Sequence, residues 1–377
     1  MVQFRSIGLS AHLDSFCMAL SDILYGEFEF VYLAGLGKMR KKIGWREDAK
    51  YRNCHDDAAA RNRALECDTL IVMEREFDLI EKRLSMGKKT VYMSERWLKP
   101  IRVRLFWRVS VVLPGIVRVL VPSYRRMVGR FIRFMDNSSF YVLPIGVHAV
   151  RDMIRLHKLM HGHISCLFKE PLVEIERRVG GDIKGFPNMK LWCYFVEGST
   201  CKGNRVEKAN DVVDILWCGR MVDWKRVDVL VKAVKILHGK NLHAKRIQLL
   251  LVGEGPERGR LEAMATDCEY IRFEDFKRQE EVRELMRRAS FYVMPSNAEE
   301  GWGAAISDAL SEGCAVISTY EAGSSATLLP NSCLYHSSNI KELVEKLREF
   351  SDCPIYEYDG SKWSGDSAAR QFIELIS

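Results

Sequence analysis

The sequence lacks the features of an exported, disulfide-linked protein. Its eleven cysteines are odd in number and scattered, and no two of them form a CxxC pair. Disulfide frameworks use paired cysteines at regular spacing, so we expect reduced thiols in a cytoplasmic protein. The first residues, MVQFRSIGLSAHLD, lack the long apolar core of a secretory signal, which agrees with this location.

Metal-ligand motifs, internal repeats and low-complexity tracts are also missing. No group of cysteines and histidines has the spacing of a zinc site, and no cluster resembles a metal-binding triad. We therefore expect neither a metal nor a cofactor. With 377 residues and 47% hydrophobic content, the chain can bury two cores of ordinary domain size.

Acidic residues are absent from residues 96–135, which we call the basic segment. The chain has a net charge of +7, and without this segment the net charge would be slightly negative. Its longest uncharged run, Val109–Val117, is far shorter than the roughly 20 apolar residues that span a membrane. The ten cations of the segment are Arg96, Lys99, Arg102, Arg104, Arg108, Arg118, Arg125, Arg126, Arg130 and Arg133.

Two interpretations of the basic segment remain open. Its interleaved aromatic and aliphatic residues would allow it to lie on an anionic membrane, such as the inner face of the plasma membrane, where each cation contributes about 1 kcal/mol. The alternative is a set of solvated arginines around ordinary core helices. No nucleic-acid-binding module accompanies the segment, so we expect no nucleic acid partner.

Short apolar runs alternate with helical patterns along the whole chain. This alternation predicts an α/β protein with parallel sheets covered by helices, in two Rossmann-like domains. The polar stretch 198–211 is the predicted linker, so the domains are residues 1–197 and 212–350, followed by a C-terminal segment, 351–377. The predicted strands are Phe4–Leu9, Phe28–Leu33, Thr69–Met73, Thr90–Met93, Phe140–Leu143 and Leu191–Phe195, then Val213–Cys218, Ile247–Val252, Ile271–Phe273, Phe291–Met294 and Ala315–Ser318.

The segment EEGWGAAISDALSEGCAVIST, residues 299–319, places two carboxylates around a helix that opens with glycines. Glu300 precedes Gly301 and Gly303, and Asp308 lies on the helix itself. Glycines let a ligand approach the backbone, and a helix N-terminus favours an anion such as phosphate. The pattern is typical of a sugar-nucleotide site, although glycine-flanked acidic loops are also common helix caps.

A second segment joins the predicted strand Val213–Cys218 to a helix predicted over Val227–Leu237. Arg220 and Lys225 lie in the connection, at the carboxyl end of the strand, where open α/β sheets bind ligands. Arginine can fork onto two phosphate oxygens and lysine adds a point charge, which suits a diphosphate. Either cation alone would be typical of a solvated surface.

These two segments, with LLLVGEGPERGRLEAMA between them, resemble the donor half of glycosyltransferase family 4. Its members are retaining enzymes of the GT-B fold, in which two Rossmann-like domains face each other across a cleft. The family carries a glutamate, seven residues and a second glutamate. Glu300 matches the first, whereas Asp308 stands at the second and is one methylene shorter. The resemblance implies that Arg220 and Lys225 hold the diphosphate, Glu300 the sugar hydroxyls and Asp308 the ribose. The donor pocket would also be lined by Gly301, Trp302 and Gly303.

Strings in the first half, AHLDSFCMAL, KTVYMSERWLKP and KLWCYFVE, are similar to bacterial family members of surface polysaccharide assembly, as is the tail WSGDSAARQFIEL. The acceptor-side candidates are His12 and Glu95. A turn or capping role for His12 and a surface pair between Glu95 and Arg96 are the structural alternatives. The resemblance also implies that the last helix, Ser367–Ile376, packs on the N-terminal domain.

The resemblance thus implies a retaining, metal-independent transferase that moves a sugar from a nucleoside diphosphate sugar to a saccharide or lipid-linked acceptor. The departing phosphate would accept the acceptor's proton, and Arg220, Lys225 and Glu300 would be the catalytic residues. Two alternatives stay open. One is a noncatalytic scaffold of a polysaccharide assembly complex that binds a nucleotide sugar or a membrane. The other is a different GT-B enzyme, such as a nucleotide-sugar epimerase or a phosphorylase.

Overall fold

The computed structural model describes residues 1–35, 49–106, 109–170, 172–195, 212–239, 246–352 and 360–377. The chain divides into two compact units. Unit 1 contains residues 1–197 and 362–377, and unit 2 contains residues 198–361. The predicted linker, 198–211, lies outside the described residues. No helix among the described residues is long and apolar enough to cross a membrane.

Unit 1 is built on a six-stranded sheet in which every neighbouring pair is parallel. Its strands are β1 (Val2–Ser6), β2 (Phe28–Tyr32), β3 (Asn53–His55), β4 (Thr69–Val72), β5 (Lys89–Ser94) and β8 (Phe140–Pro144), and a separate antiparallel hairpin consists of β6 (Ile101–Phe106) and β7 (Val109–Leu113). Its helices are α1 (Ala11–Ile23), α2 (Ala58–Glu66), α3 (Phe77–Ser85), α4 (Pro122–Met135), α5 (Val147–Met160) and α12 (Gly365–Ile376). The order in the sheet is β3-β2-β1-β4-β5-β8. β1, β2 and β4 are buried along their whole length, as expected for parallel strands that helices cover on both faces.

Five of the six strands predicted for this unit are confirmed, with small shifts at their ends. The sixth, Leu191–Phe195, is wrong. This stretch is buried and apolar, but its amides donate to turn carbonyls and to single residues of other elements, so that only an isolated bridge forms between Ile145 and Trp192. The sequence analysis missed β3 because three residues, two of them polar, show no apolar alternation.

Unit 2 repeats the same arrangement. Its strands are β9 (Val212–Cys218), β10 (Arg246–Val252), β11 (Ile271–Glu274), β12 (Phe291–Met294), β13 (Ala315–Thr319) and β14 (Leu334–Tyr335), and its helices are α6 (Val227–Gly239), α7 (Arg258–Met264), α8 (Gln279–Arg288), α9 (Ala304–Ser311), α10 (Gly323–Leu328) and α11 (Ile340–Asp352). All neighbouring strands are parallel, in the order β11-β10-β9-β12-β13-β14. The five strands predicted here and the helix at Val227 are confirmed, and only the two-residue β14 was missed.

The last helix of the chain, α12, belongs to unit 1, where it packs on α1. The Phe16 and Phe372 ring centroids are 5.8 Å apart in an edge-to-face arrangement. At the start of the helix a Cβ on Gly365 would lie 2.7 Å from the carbonyl oxygen of Ser15, so the two backbones are in direct contact. The chain therefore contributes one of its last segments to the core of its first unit.

Candidate functional site

The donor-side candidates lie on two loops at the topological switch point of unit 2. β9 and β12 are neighbours in the sheet, and from their carboxyl ends the chain continues to β10 on one side and to β13 on the other. Open α/β sheets bind ligands in the crevice outside such strand ends. The loop after β9 carries Arg220 and Lys225, and the loop after β12 carries Glu300. The fold thus brings together the two segments that the sequence analysis singled out.

Lys225 and Glu300 form an ion pair between these loops. Lys225 Nζ donates to Glu300 Oε2 at 2.5 Å, and the exposed fractions of the two side chains are only 21% and 13%. The backbones are also joined, because Asn297 N donates to the carbonyl oxygen of Trp224 at 2.9 Å. Partly buried charges are screened less by salt than exposed ones. The attraction between Lys225 and Glu300 therefore holds a cation and a carboxylate side by side.

Arg220 is exposed, and its side chain has no hydrogen bond or ion pair within the part of the chain that the structure describes. The backbone next to it is tightly held. Gly219 N donates to the carbonyl oxygen of Val252 at 3.0 Å, and a Cβ on Gly253, whose φ is +131°, would lie 2.0 Å from Gly219 O. The backbone next to Arg220 is therefore fixed by close contacts, while its guanidinium is exposed.

Gly303 is the N-cap of α9 and has a left-handed backbone, with φ at +82°. A Cβ at this position would lie 2.9 Å from Met294 Sδ and 3.2 Å from Ser324 Oγ. Gly301 O accepts a hydrogen bond from Gly323 N at 2.9 Å, which packs the loop against the start of α10. These contacts place the free amides of the α9 N-terminus directly after the loop that carries Glu300.

Trp302, which the resemblance assigns to the wall of the donor pocket, points mainly into unit 2. Its side chain is buried, and Nε1 donates to Ser307 Oγ at 3.1 Å. This orientation leaves little of the indole ring for contact with a ligand. The backbone of Trp302 is the part that continues the loop.

Asp308 lies on α9 and faces Arg283 of α8. Its Oδ1 is 3.7 Å from Arg283 Nη2, and Arg283 Nε is 3.6 Å from Glu312 Oε1. Arg283 Nε is buried and has no hydrogen-bond partner among the described residues. The sequence analysis missed Arg283, because one arginine among the alternating charges of QEEVRELMRR gives no signal of its own.

Two groups near these loops, the half-buried Cys218 and the buried Tyr292, are held in their neutral forms. Burial raises the pKa of Cys218, at the end of β9, to about 12, and the negative charge of Asp308 adds to the shift. Burial also raises the pKa of Tyr292 well above its ordinary value, and its hydroxyl donates to the carbonyl oxygen of Cys218 at 3.2 Å. Neither group is an anion at neutral pH. The charges of this region are therefore those of its arginines, Lys225 and the carboxylates.

The acceptor-side candidate His12 is the second residue of α1, which follows the carboxyl end of β1. Its main-chain carbonyl accepts a hydrogen bond from Phe195 N at 2.9 Å. This contact anchors the buried stretch that the sequence analysis had predicted as a strand. His12 thus lies at the switch point of the unit 1 sheet, between the ends of β1 and β4.

Glu95, the other candidate, follows β5 and holds two partners. Tyr194 Oη donates to Oε1 at 3.2 Å and Lys99 Nζ donates to Oε2 at 2.9 Å. Arg96 pairs with the buried Asp152 at 3.4 Å, so the predicted surface pair of Glu95 with Arg96 is replaced by a pair with Lys99. Burial raises the pKa of Asp152 against the opposing effect of the Arg96 charge.

The basic segment divides into paired and unpaired cations. Arg125, Arg126 and Arg133 are exposed, without a side-chain partner in the described ranges. Exposed apolar side chains lie beside the first two: Leu120 and Val121, at 72% and 50% exposure. The paired cations are Arg96 with Asp152, Lys99 with Glu95, Arg118 with the carbonyl oxygen of Trp97, and Arg130 with Asp78 and Glu81. The side chains of Arg102, Arg104 and Arg108 lie outside the described part.

One group of side chains with the spacing of metal ligands occurs among the described residues, and it belongs to unit 1. It consists of Asp136, His157 and His161. The sequence analysis did not identify it, since the two histidines are one helical turn apart but the aspartate comes from another helix. None of the donor-side candidates takes part in it.

Comparison with known proteins agrees with this arrangement. Residues 213–352 match the family model described as Glycosyl transferases group 1. The lipopolysaccharide outer core galactosyltransferase WaaB aligns with 100% of this chain and 98% of its own, at 13% identity and a TM-score of 0.61. HepE from Anabaena, solved with UDP and glucose, covers 100% and 98% at 12% identity and a TM-score of 0.57. A structure of trehalose-6-phosphate synthase covers 100% and 94% at 9% identity and a TM-score of 0.59.

The chain is a glycosyltransferase of the GT-B fold. The structural likeness, at such low identity, establishes the fold over the whole chain, and the family model covers most of unit 2. No curated protein sequence matches this glycosyltransferase. Its donor-side candidates, from Arg220 to Asp308, all fall within the residues that the family model covers.

Proposed function

We propose that this glycosyltransferase moves a sugar from a nucleoside diphosphate sugar to a saccharide or lipid-linked acceptor, with retention of the anomeric configuration and without a metal ion. The observation that supports the proposal most directly is the Lys225–Glu300 pair at the switch point of unit 2, with Lys225 on the same loop as Arg220, whose side chain has no partner among the described residues. Cations for a diphosphate and a carboxylate for sugar hydroxyls are thereby side by side.

The donor diphosphate would bind Arg220 and Lys225. Arg220 has its planar fork available for two phosphate oxygens. Lys225 has three N–H donors, and the hydrogen bond to Glu300 uses one of them, which leaves the other two to bind phosphate. The free amides at the N-terminus of α9 add partial positive charge in the same region.

During transfer the bond between the anomeric carbon and the phosphate oxygen breaks, and a bond from the acceptor oxygen forms on the same face. The acceptor's proton passes to the departing phosphate, so no protein nucleophile is consumed. Arg220 and Lys225 would stabilise the negative charge that develops on the diphosphate, while Glu300 would hold the sugar hydroxyls. This assignment agrees with the neutral state of Cys218 and Tyr292.

The neighbours support parts of this proposal. HepE was solved with UDP-glucose, and trehalose-6-phosphate synthase is described as transferring with retention. WaaB is a galactosyltransferase of the lipopolysaccharide outer core. We propose a nucleotide sugar donor, retention and a surface saccharide acceptor for this chain by analogy with these proteins.

Isothermal titration against UDP-, GDP- and dTDP-sugars without metal tests the donor site. We expect saturable binding of one nucleotide class, lost in an Arg220→Ala, Lys225→Ala double variant. Lys232→Ala, a more exposed lysine on α6, is the matched control and should bind as the unchanged protein does. Absence of binding to every donor would contradict the transferase proposal.

Turnover separates the alternatives. With a membrane extract as the source of acceptors, the proposal expects a glycosylated product of retained configuration by NMR, also in the presence of a chelator. Conversion of the nucleotide sugar without any acceptor would favour an epimerase. Donor binding with no turnover would favour the noncatalytic scaffold.

We also propose peripheral membrane contact through the exposed part of the basic segment, where Leu120 and Val121 adjoin Arg125 and Arg126. Apolar side chains that embed at the interface and cations that meet anionic headgroups are the two components of such binding. Vesicles that contain phosphatidylserine should retain the protein, and a Leu120→Ser, Val121→Ser variant should bind them less. Equal retention on neutral and anionic vesicles would contradict the electrostatic part.

A further inference from the structure

The side chains of Asp136, His157 and His161 meet between two helices of unit 1. His157 Nε2 is 3.2 Å from Asp136 Oδ1, and His161 Nε2 is 3.7 Å from Asp136 Oδ2. In a tetrahedral zinc site with bonds of about 2.0–2.1 Å, neighbouring ligand atoms are about 3.4 Å apart. The two nitrogen–oxygen distances, one to each oxygen of Asp136, are within about 0.3 Å of the edge of a zinc tetrahedron.

The position of the cluster attracts a cation independently of its side chains. Asp136 is the C-cap of α4, and His161 is the C-cap of α5. Each helix has 14 residues, and the helix dipole gives its C-terminus about half a negative charge. A carboxylate at such a position adds to that negative potential. Two helix C-termini and Asp136 therefore favour a cation at the same point.

The histidine rings are already oriented for coordination. His161 Nδ1 lies 2.9 Å from the carbonyl oxygen of His157. A carbonyl can only accept, so Nδ1 carries a proton, and in the neutral imidazole the lone pair is on Nε2, the atom that faces Asp136. This is the arrangement in which metal-binding histidines are held by their other ring nitrogen. The two rings also stack, with centroids 4.3 Å apart, and His157 packs edge-on against Phe186.

We propose that Asp136, His157 and His161 form a zinc(II) site that fastens the end of α4 to the end of α5, with water in the fourth position. Imidazole nitrogen and carboxylate oxygen are ordinary zinc ligands, and two histidines spaced by one helical turn present both Nε2 atoms to one ion. The site lies in unit 1, whereas the residues assigned to the donor lie in unit 2. It supplies structural support, so the transfer reaction can remain independent of metal.

Metal binding by the full-length protein tests the site. Zinc(II) is titrated against a chromophoric chelator, with a phosphine as the reductant. Nine of the described cysteines are free thiols that could also bind zinc. We expect one equivalent of tight zinc in the unchanged protein. Asp136→Asn and His161→Ala, which replace exposed side chains, and His157→Gln, which keeps a donor toward Asp136, should each lower the affinity by about tenfold or more. His55→Ala, at an exposed histidine outside the cluster, is the matched control and should change nothing.

Cobalt(II) identifies the ligands. Bound at this site it should show visible bands of nitrogen and oxygen ligation, without the intense near-ultraviolet absorption of thiolate–cobalt bonds. Zinc should also raise the melting temperature of the unchanged protein and of His55→Ala, and leave those of the cluster variants unchanged. Zinc affinity that is the same in Asp136→Asn and His161→Ala as in the unchanged protein would overturn the proposal, as would thiolate absorption of cobalt or the absence of stoichiometric zinc.

Discussion

Substituting Gly303 by alanine should destabilise unit 2 more than the same substitution at Gly313. The two glycines flank α9 and both have left-handed backbones, with φ at +82° and +71°. An alanine in that conformation costs roughly 1–2 kcal/mol, whichever glycine it replaces. The pair therefore isolates what differs between the two positions, which is the space around the new methyl group.

The surroundings of the two positions differ sharply. The added Cβ at residue 303 would meet Met294 Sδ at 2.9 Å and Ser324 Oγ at 3.2 Å, whereas nothing lies within 4 Å of the one at residue 313. Met294 ends the buried strand β12 and is only 2% exposed, so its sulfur can withdraw only if the surrounding core repacks. Overpacking of this kind adds about 1–3 kcal/mol. We expect a total loss of about 2–5 kcal/mol for Gly303→Ala and about 1–2 kcal/mol for Gly313→Ala.

Hydrogen exchange read by mass spectrometry is the appropriate assay, because a chain with two units need not unfold in one step. Peptides from β12 and α9 should lose much more protection in Gly303→Ala than in Gly313→Ala, while peptides of unit 1 stay unchanged in both. Donor affinity should fall only in Gly303→Ala, since that residue sets the start of α9. Equal losses of protection in the two variants would refute the packing argument and leave backbone strain as the whole effect.

Three further outcomes are expected. Lys225→Met should lower kcat by about 10²–10³, the usual cost of removing one preorganised charge donor, and Glu300→Gln should raise the KM for the donor. A Lys225→Met enzyme with unchanged kcat would contradict the role of the Lys225–Glu300 pair. Arg283→Met should weaken nucleotide binding, measured by titration calorimetry, because Asp308 and Glu312 lose their shared cation, whereas Arg288→Met, at an exposed arginine of the same helix, should not. The pKa of Cys218 is raised in the folded state to about 12 from the ordinary 9, so this thiol should resist iodoacetamide at pH 8. Unit 2 should lose stability as the pH rises above about 9, because there only the unfolded thiol ionises. Labelling of Cys218 in the folded protein at pH 8 would contradict this reasoning.

The sequence was most informative where burial on both faces of a sheet forces a continuous apolar run. β12 was predicted with its observed ends, Phe291–Met294, and all four of its residues are buried. Leu191–Phe195 shows the limit of this signal. It is also apolar and largely buried, but its amides donate to single carbonyls of a turn, of β8 and of α1. No local pattern distinguishes such a buried segment from a strand with neighbours on both sides.

Features that depend on distant partners could not be predicted. The cations of the basic segment looked alike in the sequence, yet Arg130 pairs with Asp78 and Glu81 of α3 whereas Arg126 has no described partner. The Asp136–His157–His161 cluster was missed for the same reason. Its histidines have helical spacing, but the third group comes from the end of a different helix, and only the packing of α4 against α5 brings it near.

The positions of the donor-side candidates could be predicted because the strand order decides which loops lie next to each other. In a parallel sheet with the order β11-β10-β9-β12-β13, the loops that follow β9 and β12 must leave the same edge of the sheet side by side. Recognising those two strands therefore places Arg220, Lys225 and Glu300 in one neighbourhood before any side chain is seen. Orientation is a separate matter. Trp302 and Asp308 follow the same loop, but the packing of Trp302 onto Ser307 and the approach of Arg283 to Asp308 depend on α8 and α9 together. Positions that follow from the chain path could thus be predicted from the sequence, and orientations that follow from helix packing could not.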